Sequence, residues 1–326
     1  MTDCNGGIAV SEKIVLYGAG KHGRKMLDYL KYQGLENRVY GFCDGNTRII
    51  GTTIDNKPVI GYEDAKEKKF PFVITVSDKY SDEVEQILEN DNVDYYRNLF
   101  EWEKIKLHMD STVVNRDYCA FFHVDDMDAY FDEAEQQNSI DIFWGEKSPF
   151  YERFKRLDLR DVVELACGRG RHVNQYIDRA GRVTLVDILE KNILFCKERF
   201  KDRNNIIYYK NNGCDLSSLE DKSYTALFTY DAMVHFEMFD VYSYLKETYR
   251  ILKDNGMALF HHSNLSLLYY QSFEKSGNPG GRNFMSRELF AYLANKAELE
   301  VIDQEIIDWS LPQMDCITLV RKNAMH

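Results

Sequence analysis

Residues 161–177 read DVVELACGRGRHVNQYI, and the fold turns on them. Val162, Val163 and Leu165 form a short apolar run interrupted by Glu164. Gly168 and Gly170 follow, and Val173, Tyr176 and Ile177 then recur at helical spacing. A buried strand entering a glycine turn and leaving as a helix is the opening unit of a nucleotide-binding α/β domain. Glycines there let the backbone approach a ligand where a Cβ would collide. The pattern E-x-A-C-G-x-G differs from the G-x-G-x-x-G of a dinucleotide site and has no Lys-Ser/Thr of a phosphate loop.

Toward the C-terminus, residues 182–186 (RVTLV) predict a second strand ending at Asp187, 19 residues after Gly168. An acid at that strand tip can accept hydrogen bonds from both ribose hydroxyls, and Ile188 beside it can lie against a base. The competing reading of Asp187 is a helix cap, since Ile193 and Leu194 follow at helical spacing. Residues 206–209 predict a third strand before Asn211-Asn212-Gly213. Residues 224–230 (YTALFTY) predict a fourth, entering Asp231-Ala232-Met233-Val234-His235-Phe236. Ligands sit at the carboxyl ends of parallel strands, which puts Asp231 and His235 at the ligand edge of the sheet. A histidine, with an ordinary pKa of about 6.5, can take a proton from a hydroxyl at neutral pH. A structural histidine capping a helix is the alternative. After a turn at Lys253-Asp254-Asn255-Gly256, residues 257–260 predict a fifth strand ending at His261 and His262. Neighbours on a strand face opposite ways, so at most one of the two enters a site easily. Arg282 and Arg287 suit a phosphate or carboxylate, or are solvated surface charges. Residues 299–307 and 315–321 predict two closing strands.

This ordered series resembles the class I S-adenosylmethionine (SAM) methyltransferases over about residues 158–323. The resemblance implies a seven-stranded sheet with an antiparallel last strand and SAM as cofactor. It implies that Glu164 reaches the methionine end and that Ala166, Gly168 and Gly170 pass beneath the ribose. Asp187 then holds the ribose hydroxyls, Ile188 the adenine, and Asn212 with Gly213 stands near the adenine amino group, where the family commonly has Asp. The segment YDAMVHF resembles motif IV of small-molecule O-methyltransferases, with His235 as general base and Asp231 orienting it or touching substrate. Tyr151, His261, His262 and Arg282 are candidate acceptor contacts. Helices before the first motif often form a lid in this family, a role open to Tyr130, Trp144 and Tyr151, for each of which core packing competes.

The N-terminal stretch repeats the theme. Residues 13–17 (KIVLY) run into Gly18-Ala19-Gly20-Lys21-His22-Gly23, and a second strand ends at Asp44, 26 positions after Gly18. That is near the spacing at which a dinucleotide fold holds a ribose. The order GAGKHG, GFCDGN, KPVIG, FVITVSD resembles a small Rossmann-like domain attached to bacterial sugar- and polysaccharide-modifying enzymes. Its glycine loop is read either as a nucleotide or nucleotide-sugar site on Gly18, Gly20, Gly23 and Asp44, or as a degenerate fold used for packing or dimerisation. The expected organisation is α/β with two Rossmann-like domains: residues 1–100, a helical connector or lid over 101–157, and the methyltransferase domain over 158–326. In the connector, 101–109 reads as helix or linker. His123, Asp125, Asp126 and Asp128 read as a solvated helix start rather than a metal cluster.

Composition narrows the function. A 44% hydrophobic share suffices for two cores in 326 residues. The net charge of −12 disfavours nucleic acid as a partner. Seven dispersed cysteines with no C-x-x-C favour reduced thiols over a disulfide framework or zinc site. No apolar run reaches about 18 residues, so no membrane span is expected, and the opening residues show no signal peptide, which points to the cytoplasm. A homo-oligomer is left open. The expected reaction is O-methylation of a small polar acceptor, such as a sugar, nucleotide-sugar or sugar phosphate of surface-polysaccharide synthesis. The alternatives are an NAD-dependent oxidoreductase using the N-terminal loop, and a non-catalytic SAM- or nucleotide-binding scaffold.

Overall fold

The structure is a computed structural model describing residues 13–97, 116, 120, 128–265, 282–309 and 312–324. The expectations for 101–109, for His123, Asp125 and Asp126, and for the loop 278–281 lie outside the described residues, as does the side chain of Asp128. The chain packs into two compact units, Met1–Val114 and Asn115–His326.

In the first unit, β1 (Ile14–Tyr17) enters the glycine loop and leaves as α1 (Lys21–Tyr32). Met26, Leu27 and Leu30 turn inward at the expected 3–4 spacing. β2 (Val39–Cys43), β3 (Thr53–Ile54), β4 (Lys57–Ile60), α2 (Tyr62–Glu67), β5 (Phe72–Ile74), α3 (Asp78–Asn90) and β6 (Tyr95–Tyr96) follow. The sheet order is β3-β4-β2-β1-β5-β6, parallel except for the β3–β4 pair.

The second unit opens with three short helices, α4 (Asp128–Ala134), α5 (Gln137–Trp144) and α6 (Pro149–Phe154). Ser148 caps α6 and Pro149 opens its first turn, where a missing N–H costs nothing. Then come β7 (Asp161–Leu165), β8 (Arg182–Asp187), α7 (Glu190–Arg199), β9 (Ile206–Lys210), β10 (Tyr224–Thr229), α8 (Met238–Ile251), β11 (Leu252–Ser263), α9 (Arg287–Lys296), β12 (Leu299–Ile307) and β13 (Asp315–Lys322). The seven-stranded order is β12-β13-β11-β10-β7-β8-β9. β7 to β11 are parallel, while β13 runs antiparallel to both β11 and β12. This is the class I methyltransferase arrangement.

Two local expectations change. The segment after Gly170 forms two 3₁₀ turns, Val173–Gln175 and Ile177–Arg179, instead of an α-helix. It breaks at Tyr176, which leaves the helical region (φ −138°) and sends its buried hydroxyl to Glu164. The turn expected at Lys253–Gly256 is absorbed into β11 as an irregularity. Pairing jumps from Tyr224 with Leu252 to Ala226 with Met257, and Asn255 takes a left-handed φ of 64°.

Candidate active site

A cavity of about 310 Å³ opens at the carboxyl ends of the parallel strands of the second unit. One end is built by β7, β8 and the loop after β9. Ala166 (φ 57°) and Gly168 (φ 53°) make the turn out of β7 in the left-handed region, and both line the cavity. A Cβ on Gly168 would fall 2.8 Å from the Phe131 ring of α4. Asp187 at the tip of β8 is buried and also lines the cavity. Its Oδ2 accepts the Gly168 N–H (2.9 Å), and its Oδ1 accepts the Leu189 N–H (2.9 Å) and the Asn192 amide (3.1 Å). Burial raises its pKa against these hydrogen bonds. Ile188 and Gly213 complete this end, with Arg116 held on Asp240 at 2.6 Å.

The other end is polar. Asp231, just after β10, adopts φ 55° and directs its carboxylate at Arg171 (3.1 Å) and the Tyr130 hydroxyl of α4. Burial opposes ionisation of Asp231. Arg171 and the hydrogen bonds from Tyr130 and Arg171 outweigh it and hold the carboxyl below the usual range. His261 Nδ1 accepts the Asp231 backbone N–H (3.0 Å), and its Nε2 faces buried Asp315 (3.1 Å). Arg282 clamps Asp315 at 2.8 Å and stands 3.8 Å from Asp231. His235 lies half-buried in the cavity wall, on the 3₁₀ turn Met233–His235, with its carbonyl accepting the Asn283 amide.

The structure therefore brings Ala166, Gly168, Asp187, Ile188, Gly213, Asp231, His235 and Arg282 to one cavity. The other expected site residues fall elsewhere. Glu164 is buried beneath the turn, its Oε2 on the Tyr176 hydroxyl (2.6 Å) and its Oε1 without a partner. Burial pushes its pKa up to about 8. Gly170 (φ 72°) serves packing, since a Cβ there would meet the Phe200 ring of α7 at 2.6 Å. Asn212 caps its own turn, its Oδ1 accepting the N–H groups of Cys214 and Asp215, as Asn favours. Its buried neighbour Asn211 lines the cavity instead, bonded to the Tyr244 hydroxyl at 2.8 Å. His262 turns to the opposite face of β11, bonds Thr318 and stacks on Phe290 of α9. His261 acts one layer behind the wall. Tyr151 packs against Trp144, outside the cavity lining. Arg171, His172 and Trp309 also line the cavity, with Asp315 behind His261, and none of the four follows from the strand-end pattern. Arg171 and His172 stand inside the quoted motif, where a cation and a histidine directly after the glycine turn were a usable signal.

In the first unit, Gly18 (φ 117°), Gly20, Gly23 and Asp44 are adjacent. Asp44 Oδ2 accepts the Ala19 N–H and Oδ1 the Asn46 N–H, both at 2.8 Å. A Cβ on Gly23 would lie 1.9 Å from the Gly18 carbonyl oxygen, so that glycine is required for helix–strand contact.

The sheet order, with a ligand cavity at its carboxyl edge, is that of the class I methyltransferase fold. Residues 162–256 match the family described as methyltransferase domain, and residues 10–99 match the family described as C2185-like, N-terminal. Residues 162–256 are therefore a methyltransferase domain, and SAM is the cofactor that the motif series leads one to expect for it. No curated protein matches the chain. Among solved structures it is similar to a complex between the Haloferax volcanii Trm112 methyltransferase activator and a methyltransferase, at 17% identity, TM-score 0.47, covering 61% of this chain and 98% of that one. A SAM-dependent methyltransferase of Methanosarcina mazei aligns at 13% identity, TM-score 0.45, over 53% of this chain and 97% of that one. Geranyl diphosphate C-methyltransferase of Streptomyces coelicolor aligns at 15% identity, TM-score 0.44, over 52% and 77%.

The residues fit the cofactor. The left-handed Gly168 and Gly213 present backbone to the cavity, Asp187 offers carboxylate lone pairs beside apolar Ile188 and Phe131, and the far end is charged. No described helix is long and apolar enough to cross a membrane.

Proposed function

We propose that the chain O-methylates a small polar acceptor, with His235 taking the acceptor proton. The observation that carries this is the continuity of one cavity from Asp187 and Gly168 to His235, Asp231 and Arg282. When bound, SAM supplies an electrophilic methyl group. Asp187 would hold its ribose, Ile188 its base, and Gly168 and Gly213 its close backbone contacts. Asp231 is kept ionised by Arg171, so it is a poor proton acceptor and a good hydrogen-bond acceptor for an acceptor hydroxyl. That leaves the half-buried His235 as the group suited to general-base work. His261 and Asp315 lock the Asp231 backbone, and Tyr130 and Arg171 lock its carboxylate, so the hydroxyl would be met by a preset partner.

The acceptor class we assign is a sugar, nucleotide-sugar or sugar phosphate of surface-polysaccharide synthesis, supported by the sequence likeness of residues 1–100 to domains of sugar-modifying enzymes. In this reading residues 101–157 form a connector whose helix α4 lines the cavity through Tyr130 and Phe131, and 158–326 carry the chemistry. The N-terminal loop at Gly18–Gly23 would take a nucleotide or nucleotide-sugar. Calorimetric titration with SAM and S-adenosylhomocysteine tests the core of this proposal. Micromolar binding lost in Asp187→Ala is expected, followed by turnover of a sugar acceptor that falls at least about a hundredfold in His235→Gln. Tight NAD binding with no binding of either adenosyl ligand would refute it.

A further inference from the structure

The hydrogen-bond pattern around His172 does not close. Trp144 Nε1 points at His172 Nδ1 (3.0 Å), and Arg171 Nε points at His172 Nε2 (3.2 Å). Indole and guanidinium nitrogens only donate, while a neutral imidazole has one acceptor nitrogen and one N–H. Protonation would remove even that acceptor, and burial together with Arg171 pushes the His172 pKa well below its ordinary value. Three N–H groups therefore share one lone pair, and two of them face each other in the cavity wall. The shorter Trp144 contact claims the Nδ1 lone pair, which leaves the His172 proton on Nε2, pointing at the Arg171 Nε–H. Both terminal nitrogens of Arg171 are engaged elsewhere. Nη1 donates to the Tyr130 oxygen (2.9 Å), Nη2 to Asp231 (3.1 Å), and the guanidinium is held over the Phe143 ring. Arg171 and His172 both line the cavity, and His172 is only 5% exposed.

Two buried, converging donors without an acceptor call for an oxygen ligand. We propose that Arg171 Nε–H and His172 Nε2–H form a carboxylate seat in this cavity, with Trp144 as the positioning residue that fixes the His172 tautomer. The inference rests on the methyltransferase reading and deepens it. Charge balance favours one kind of occupant. Arg171 and Arg282 are already offset by Asp231 and Asp315, so a bare anion would add an uncompensated charge. A carboxylate that carries its own cation would not. An α-amino acid end, such as that of the cofactor, has this character. An acidic acceptor is the second source of the same chemistry.

The test titrates the full chain with S-adenosylhomocysteine and with 5′-methylthioadenosine, which keeps the nucleoside and thioether but lacks the amino acid. Arg171→Gln should weaken the first ligand about tenfold or more, as expected for a charge-assisted bond, and the second less than about twofold. Trp144→Phe keeps an aromatic ring beside Phe150 and Phe154 and removes the donor along with the pyrrole part of the indole. It should weaken S-adenosylhomocysteine about threefold, and it stands in if Arg171→Gln, which strands Asp231, does not fold. If the seat takes the acceptor's carboxylate, neither adenosyl ligand responds, but millimolar acetate binds the S-adenosylhomocysteine-saturated wild type and not the variants. Variants that bind S-adenosylhomocysteine and acetate as the wild type does would overturn the seat. The methyltransferase reading fails separately, if the wild type binds neither adenosyl ligand while acetate binding still depends on Arg171.

Discussion

Replacing Glu164 by Gln should abolish a specific pH dependence of stability. Glu164 is fully enclosed under the glycine turn, and burial raises its pKa from the ordinary 4.5 to about 8 against the hydrogen bond from Tyr176 and the fields of Arg171 and Arg199. Between those values the folded chain holds a proton that the unfolded chain has released. Stability from this group is therefore intact below pH 4.5 and declines as pH rises toward 8. The slope is about 1.4 kcal/mol per pH unit, or roughly 2 kcal/mol between about pH 6.5 and 8. The buried histidines oppose it at lower pH. His262, depressed to about 3, and His172 favour folding more strongly as pH rises, and their contributions are complete once the unfolded histidines are neutral. The difference between variant and wild type removes those shared contributions. Gln still accepts the Tyr176 hydroxyl and imitates the protonated acid in shape. Urea unfolding followed by tryptophan fluorescence at several pH values should show the variant gaining on the wild type by about 2 kcal/mol over that window. Parallel curves for the two proteins would mean that Glu164 ionises normally and that its buried, half-bonded placement is wrong.

Gly170→Ala combines a left-handed φ with a Cβ 2.6 Å from Phe200, and should cost about 3 kcal/mol by thermal or urea unfolding. His235→Gln should lower kcat about a hundred- to a thousandfold while leaving S-adenosylhomocysteine affinity unchanged by calorimetry. An unaltered kcat would remove His235 from the chemistry. His262→Gln should flatten the loss of stability on acidification below the ordinary histidine pKa of 6.5, a slope of about 1.4 kcal/mol per pH unit, because the wild-type ring stays neutral in the fold down to about 3. Enzyme assays on that variant should show kcat within about twofold of wild type, since His262 points away from the cavity.

What could be read in advance was whatever local chemistry dictates. A glycine turn after an apolar run announces itself, and Asp187 at a strand tip follows from the length of the intervening crossover. The alternation of apolar runs with helical spacing is enough to count the seven strands of the second unit, while the two-residue strands β3 and β6 of the first are too short to leave a pattern. Local pattern is silent where one residue of register decides the outcome. Asn211 and Asn212 differ only in which way the chain faces after β9, and the inward one is Asn211. The family resemblance points Glu164 at the ligand, yet it lies on a strand whose neighbours are buried on both faces, so its carboxyl ends up enclosed. The charged network was illegible for another reason. Arg171 meets Asp231 60 residues later, and His261 meets Asp315 54 residues later, across strands whose neighbours are set by topology. Trp309, which stacks on Phe143 at 5.8 Å, carries no local pattern at all.

The place of β13 has a consequence for how the chain is made. It is the last strand in sequence, yet it lies inside the sheet, between β11 and β12. The sheet of the first unit draws only on residues between Ile14 and Tyr96, so every partner it needs emerges early from the ribosome. The catalytic sheet must wait. β7 finds β10 only after some sixty further residues, and β11 keeps a bare edge until residues 315–322 arrive. That edge is a 12-residue strand whose last eight positions include Ala258, Leu259 and Phe260, all buried in the finished fold. Long, apolar and unpaired, it is the segment on which a nascent or prematurely terminated chain would self-associate. Residues 315–322 are thus what covers the aggregation-prone edge of β11.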